Sequence, residues 1–298
     1  MKGIDRLREA FARDAKIKLM THAVVGYPDL ETSARILRAM ADSGADFIEA
    51  QLPFSDPIAD GPSIVEANHV ALRAGSRTLA CLETLARLRA ETDIPILVMS
   101  YVNPLLAHGI EAIVGRIADA GLDGLIVPDW PDDEPELALG ERCAAAGLAL
   151  VPLIAPSTSL DRAVALAKAS SSPFVYAVTR LGVTGRRTQL ETAALERLSK
   201  LRDKTGVYVA AGFGIRERAQ VELLAGYADC AIVGSALVDA ARAAHHASLR
   251  PALHGGASAT GTSPTGASAE GSPAARGLEG IDPAEAVAAL VRSLAGRD

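Results

Sequence analysis

The sequence predicts an α/β fold: a single (β/α)8 barrel of the TIM type, with an extra helix at the N-terminus and a low-complexity insertion ahead of the last helix. Three observations carry that prediction. They are a recurring phrase that joins a helix end to an apolar strand, the number of such units, and one stretch that cannot build a core. The phrase reads DSGADFIEA (42–50), DAGLDGLIVPD (119–129), AAGLALVPLI (145–154) and LAGYADCAIVGS (224–235). In each, a glycine (Gly44, Gly121, Gly147 or Gly226) suits the left-handed residue that closes a helix. The run after it is apolar on both faces, as a parallel strand covered on both sides requires.

Further candidate strands fall at 17–25, 94–100, 173–178 and 206–211, and helical periodicity fills the intervals. In 29–43, Ile36, Leu37 and Met40 share one face behind the capping residue Asp29. Four repeated phrases and four further strands make eight strand–helix units. Strict alternation of this kind implies a parallel sheet with right-handed crossovers, and eight units fit a closed barrel better than an open sheet.

Residues 247–280 break the pattern. The run GGASATGTSPTGASAEGSPAARG holds no large apolar side chain, so burial cannot offset the entropy of ordering it. It is expected to be a flexible surface insertion. A helix start returns at Asp282, Pro283 and Glu285, which supply a cap, a first-turn proline and a capping-box glutamate. Val287, Leu290, Val291 and Leu294 follow at helical spacing, so this helix is expected to pack back on the barrel. The domain reading is therefore one barrel, 1–246 plus 281–298, interrupted by 247–280.

Composition narrows the partners. The 298 residues are 49% hydrophobic, enough for one sizeable core, and 30 basic against 36 acidic residues give a net charge of −6. With no basic stripe, nucleic acid and anionic membrane are poor partners. No run approaches the roughly 20 apolar residues a membrane span needs. The N-terminus, MKGIDRLREAFARDAK, alternates charge with apolar residues and lacks a signal-type apolar segment. Cys81, Cys143 and Cys230 are far apart in apolar contexts and read as buried packing residues in a reducing compartment. The expected location is the cytoplasm.

Barrels of this class carry their chemistry at the C-terminal ends of the strands. Three such segments stand out. In FIEAQLPFSDPIADGPSI (47–64), Glu49 sits near the end of an apolar strand, as a structural ion-pair member or an acid–base with a raised pKa. Asp60 follows in a proline-rich loop, where a lone aspartate would ordinarily form a turn. In YAVTRLGVTGRR (176–187), Tyr176 precedes a glycine-containing basic loop that suits closure over an anion. AAGFGI (210–215) and IVGSAL (232–237) are small-residue turns after the last two strands, where backbone N–H groups can grip a phosphate.

The combination of IEAQLPFSDPIADGP, YVNP (101–104), LIVPDWP (125–131), RLGVTG (180–185), GFGI (212–215) and VGSAL (233–237) resembles the tryptophan synthase alpha chain family, in order, over about residues 1–245. The resemblance implies a carbon–carbon lyase that splits indole-3-glycerol phosphate into indole and glyceraldehyde 3-phosphate. It implies Glu49 as the catalytic acid–base and Asp60 as the carboxylate that receives the indole N–H. Tyr176 matches a tyrosine supporting Asp60, Thr184 and Gly185 the loop that seals the site, and Phe213 a ring lining the pocket. Gly214, Gly234 and Ser235 match the phosphate-binding turns. No metal or cofactor is implied in this chain; a beta chain carrying pyridoxal phosphate is the implied partner, in an α2β2 assembly that makes L-tryptophan. The loop 53–62 is its expected contact surface.

The sequence also departs from the family pattern. His22 stands where most members carry a phenylalanine against the indole, and reads first as a core histidine. Gln51-Leu52 replaces Gly-Val after Glu49, and Leu181 replaces a small polar residue. These departures keep open an alternative, a phosphate-ligand-binding regulator of the beta chain with weak lyase activity. A phosphosugar isomerase would share the phosphate turns but leaves the PFSDPIADGP loop unexplained. His69, His108, His245, His246 and His254 have no metal-ligand spacing, and Trp130 reads as a rim packing residue.

Overall fold

The computed structural model describes residues 3–130, 138–178, 192–212, 214–254 and 281–297. The strands are β1 (Lys18–Val24), β2 (Phe47–Gln51), β3 (Ile96–Met99), β4 (Gly124–Ile126), β5 (Ala149–Val151), β6 (Leu153–Ile154), β7 (Phe174–Val178), β8 (Tyr208–Gly212) and β9 (Cys230–Val233). All pairings are parallel, in the order β5-β4-β3-β2-β1-β9-β8-β7-β6.

The two ends of that order are neighbours in sequence, separated only by Pro152. β5 pairs with β4, β6 pairs with β7, and the Tyr176 N–H donates to the Pro152 carbonyl at 2.9 Å. Proline has no N–H to give a ladder, so it splits this strand without ending it. Nine strands, two of them halves of one, give eight staves and a closed barrel. This is the architecture that the eight strand–helix units predict.

Alternation along each strand sends one set of side chains inward. The register sets His22 beside Glu49, Gln51 beside Met99 and Tyr176 beside Ala210. Met20, Phe47, Leu97, Ile126, Val151, Phe174, Ala210, Cys230 and Ile232 fill the interior. The helix Gly3–Ala12 closes the amino-terminal end of the barrel with Leu7, Ala10 and Phe11. The Phe11 ring lies 4.6 Å from Phe47, 5.1 Å from Phe174 and 4.7 Å from Tyr208, the first residues of three staves. A floor sealed this way leaves only the carboxyl-terminal end open to a ligand.

The repeated phrase also carries a device that its glycines do not reveal. Gly121 and Gly147 do have positive φ, 72° and 76°, and end their helices as expected. The aspartates that follow three of these glycines tie the staves together. Asp46 accepts the Leu19 N–H at 2.8 Å, Asp123 the Ile96 N–H at 2.7 Å, and Asp229 the Val209 N–H at 2.8 Å. Each clips the beginning of its own strand to the strand before or beside it.

The helix Pro283–Ala295 is capped by Asp282, which accepts the Ala284 N–H. It packs against the helices Leu30–Asp42 and Ser235–His254 and buries Val287, Val291 and Leu294. The helix that starts at Ser235 runs through His254, into the segment expected to be irregular from 247 onward. The chain is therefore helical past the expected boundary at 247. The remainder of the expected insertion lies outside the described residues. All three cysteines are buried and free, as their contexts suggest.

Candidate active site

At the carboxyl ends of the staves a cavity of about 400 Å3 opens, lined by His22, Glu49, Asp60, Tyr176, Gly212, Gly214, Gly234 and Ser235 among others. Its apolar wall comes from Ile58, Ile64, Met99, Ile126, Leu153, Val178 and Ile232. Two carboxyl groups and two glycine turns that the sequence singles out therefore face one space. Thr184, Gly185 and Phe213 lie outside the described residues.

Each wall follows from local structure. Glu49 is an inward residue of β2, 1% exposed, and neither of its oxygens has a hydrogen-bond partner among the described residues. Asp60 is brought over the barrel mouth by the loop after β2. That loop is fastened at two points: Asn68 Oδ1 accepts the Phe54 N–H at 2.9 Å, and Tyr101 Oη accepts the Ala59 N–H at 3.0 Å. Gln51 Nε2 donates to Asp60 Oδ2 at 2.7 Å. Burial raises the Asp60 pKa above the ordinary 3.8, although bonds from Gln51 and Tyr101 and the nearby His22 pull it back. Burial likewise drives Tyr176 well above 10, with Glu49 and Asp60 adding to the effect, so its hydroxyl stays protonated.

The opposite rim is built from backbone. Gly214 takes a positive φ of 66° in the turn after β8. Gly234 follows β9 and its carbonyl accepts the Leu237 and Val238 N–H groups, so the first turn of the helix Ser235–His254 begins at the cavity. Its leading N–H groups and positive helix end suit an anion. A Cβ at Gly234 would stand 3.4 Å from His22 Cβ, so the ring faces this turn with about a methyl group's width between them.

Three residues have roles that the sequence did not reveal. His22, expected as an ordinary core histidine, lines the cavity, with Nδ1 3.5 Å from Glu49 Oε2 and Nε2 buried without a partner among the described residues. Gln51 holds Asp60, and Tyr101 lies beside it, whereas the expected support, Tyr176, makes no hydrogen bond to it among the described residues. The signal for His22 was the two-residue period of neighbouring strands, but sequence does not give the register that pairs it with Glu49. Trp130 packs against the outer core, as a rim residue should.

The sequence profile of the tryptophan synthase alpha chain family matches residues 9–253. The chain belongs to that family. It is 40% identical over 226 residues to the tryptophan synthase alpha chain of Desulforapulum autotrophicum, covering 76% of this chain and 88% of the relative. It is 42% identical over 219 residues to that of Syntrophotalea carbinolica, covering 74% and 86%. Among solved structures, Mycobacterium tuberculosis tryptophan synthase superposes with a TM-score of 0.75 at 32% identity, over 99% of this chain and 96% of that one. A mutant alpha-subunit from Pyrococcus furiosus gives 0.74 at 27% identity, over 94% and 98%. The alpha chain is the lyase that cleaves indole-3-glycerol phosphate in tryptophan biosynthesis. In this family pyridoxal phosphate is carried by the beta chain and the alpha chain has no cofactor.

Proposed function

We propose that the cavity is the lyase site, with Glu49 as the acid–base and Asp60 as the acceptor of the indole N–H. The observation that carries this reading is the convergence of both carboxyl groups and the two glycine turns on one cavity of about 400 Å3. Cleavage requires a proton on indole C3 and loss of the proton from the hydroxyl of the neighbouring glycerol carbon. The electron pair of the breaking carbon–carbon bond returns to the indole, and the carbinol becomes the aldehyde of glyceraldehyde 3-phosphate. Glu49, buried with no hydrogen bond to its oxygens among the described residues, serves these proton transfers. Asp60, held by Gln51 and Tyr101, stabilises positive charge developing on the ring. Gly214, Gly234 and Ser235 offer backbone N–H groups to the phosphate, and Tyr176 walls the space beside both carboxyl groups. The resemblance alone assigns Thr184 and Gly185 to site closure and Phe213 to the pocket lining.

The alpha chain family assembles with a beta chain as α2β2. This chain is assigned the same partner, with the loop 53–62 as the contact: Ile58 at its tip is 77% exposed. Among the described residues no helix is long and apolar enough to cross a membrane, and the proposed location is the cytoplasm. Indole release from indole-3-glycerol phosphate, measured without and with a beta chain, tests the reading. Turnover above background that Glu49→Gln abolishes supports it. Ligand binding without turnover in either condition would favour the regulatory alternative. Asp60→Asn is expected to cut turnover severely and leave glycerol-phosphate affinity intact, because the phosphate turns lie on other staves. Since burial raises the Asp60 pKa and its working form is the carboxylate, the acid limb of kcat/KM should lie above pH 3.8.

A further inference from the structure

The mouth of the barrel sets two carboxyl groups against a substrate that itself carries a phosphate. Among the described residues lining the cavity, His22 is the one side chain able to be cationic near neutral pH. Its ring stands between both ends of the site, with Nδ1 3.5 Å from Glu49 Oε2 and its Cβ close to the Gly234 turn. Gln51, from the same strand as Glu49, donates to Asp60 at 2.7 Å and interacts with His22 as well. His22 Nε2 and Gln51 Oε1 are both buried and form no hydrogen bond of normal geometry among the described residues.

We propose that His22 is a positioning residue of the lyase: its imidazolium is the counter-ion of Glu49 and, with Gln51, ties the two catalytic carboxyl groups into one electrostatic unit. Loss of the His22 proton therefore sets the alkaline limit of activity. The groups facing the ring are Glu49 and Gln51 from β2, Asp60 from the following loop, Tyr176 from β7 and the backbone of Gly234 after β9. Tyr176 stays neutral, leaving the two carboxylates as the charges that act on the ring. Burial opposes the imidazolium, but Glu49 and Asp60 outweigh it and raise the His22 pKa above 6.5. His22 and Gln51 thus act together: the histidine brings a charge, and the amide links it to the second carboxyl group.

This inference rests on Glu49 being the acid–base, and its test separates the two. Nitrogen NMR of histidine-labelled protein reads the His22 titration directly, its signal identified by its loss in His22→Phe. The expected midpoint lies above pH 6.5 and falls in Glu49→Gln, because the carboxylate that raises it is gone. In kcat/KM profiles for indole-3-glycerol phosphate, the wild-type alkaline limb should coincide with that midpoint and vanish in His22→Phe. His22→Gln, polar but not titratable, should lose the same limb and covers the case of a poorly folded phenylalanine variant. A His22 midpoint indifferent to Glu49→Gln, or an alkaline limb retained in both variants, overturns the proposal. Absence of turnover in the wild type would instead defeat the lyase assignment, while the NMR titration still decides whether the pair exists.

Discussion

The two ends of this barrel treat a buried carboxylate in opposite ways. At the floor, Asp123 is fully buried and fully engaged: it receives the Ile96 N–H at 2.7 Å, the Arg89 guanidinium at 3.4 Å and the Arg6 guanidinium in close contact. At the mouth, Glu49 is as deeply buried, yet its oxygens accept no hydrogen bond among the described residues, and His22 stands at the edge of bonding distance. Removing a carboxylate from water is costly, and a fold recovers that cost by pairing it. Where the pairing is left incomplete, the unused bonding capacity is available to a substrate. The contrast separates a carboxylate that holds the barrel from one that works in it.

The contrast predicts opposite consequences of mutation. Glu49→Gln should lower turnover by about 100- to 10,000-fold, the usual contribution of a general acid–base, with the melting temperature unchanged or raised. Asp123→Ala should do the reverse. It strands Arg6 and Arg89, whose side chains are 12% and 9% exposed, and should cost about 3–5 kcal/mol of stability. Activity per folded molecule should stay near wild type. A chemical-denaturation curve and an indole-release assay on both variants decide the matter. If Glu49→Gln unfolds the protein, or Asp123→Ala abolishes turnover of the folded fraction, the division between floor and mouth fails. Phe11→Ala belongs with Asp123: removing a ring that touches Phe47, Phe174 and Tyr208 should cost about 3–5 kcal/mol and leave kcat/KM intact.

Much of the fold could be read from the sequence because the repeated phrase states the same local solution several times. A helix-closing glycine followed by an apolar strand marks four of the eight staves, and strict alternation with the other four fixes the parallel sheet. The aspartate clips were visible in three of those phrases, as Asp46, Asp123 and Asp229, but their partners lie on adjacent strands and depend on register. The same limit applies to the site. Glu49, Asp60 and the glycine turns announce themselves by residue type at strand ends. His22 and Gln51 do not, because their meaning comes from which side chain stands opposite. Tyr101 sat inside a quoted motif with no assigned role, since only the folded loop brings it to Ala59 and Asp60. Pro152 conceals its role in a further way, by cutting one stave into two short strands while leaving the barrel closed.

A third carboxylate sharpens the comparison with the smallest effect. Asp29 follows β1 near the same end of the barrel as Glu49, but its oxygens are engaged locally, by the Thr32 N–H and the Thr32 hydroxyl, both at 2.8 Å. It caps the helix Leu30–Asp42, and Asp29→Ala should cost about 1 kcal/mol. Partial burial opposes the charged form, but the Thr32 bonds outweigh it and bring the Asp29 pKa below the ordinary 3.8. The charged form is thus the one the fold prefers. Its contribution is complete above the unfolded-state pKa and is lost as pH falls through the lowered folded one. Thermal melts of wild type and Asp29→Ala should therefore differ at neutral pH and converge below about pH 3.8. Indole release should not change. A carboxylate at the mouth whose loss moves stability but not rate would show that facing the cavity, as Glu49 and Asp60 do and Asp29 does not, marks the working residue; a fall in turnover with Asp29→Ala would show the opposite.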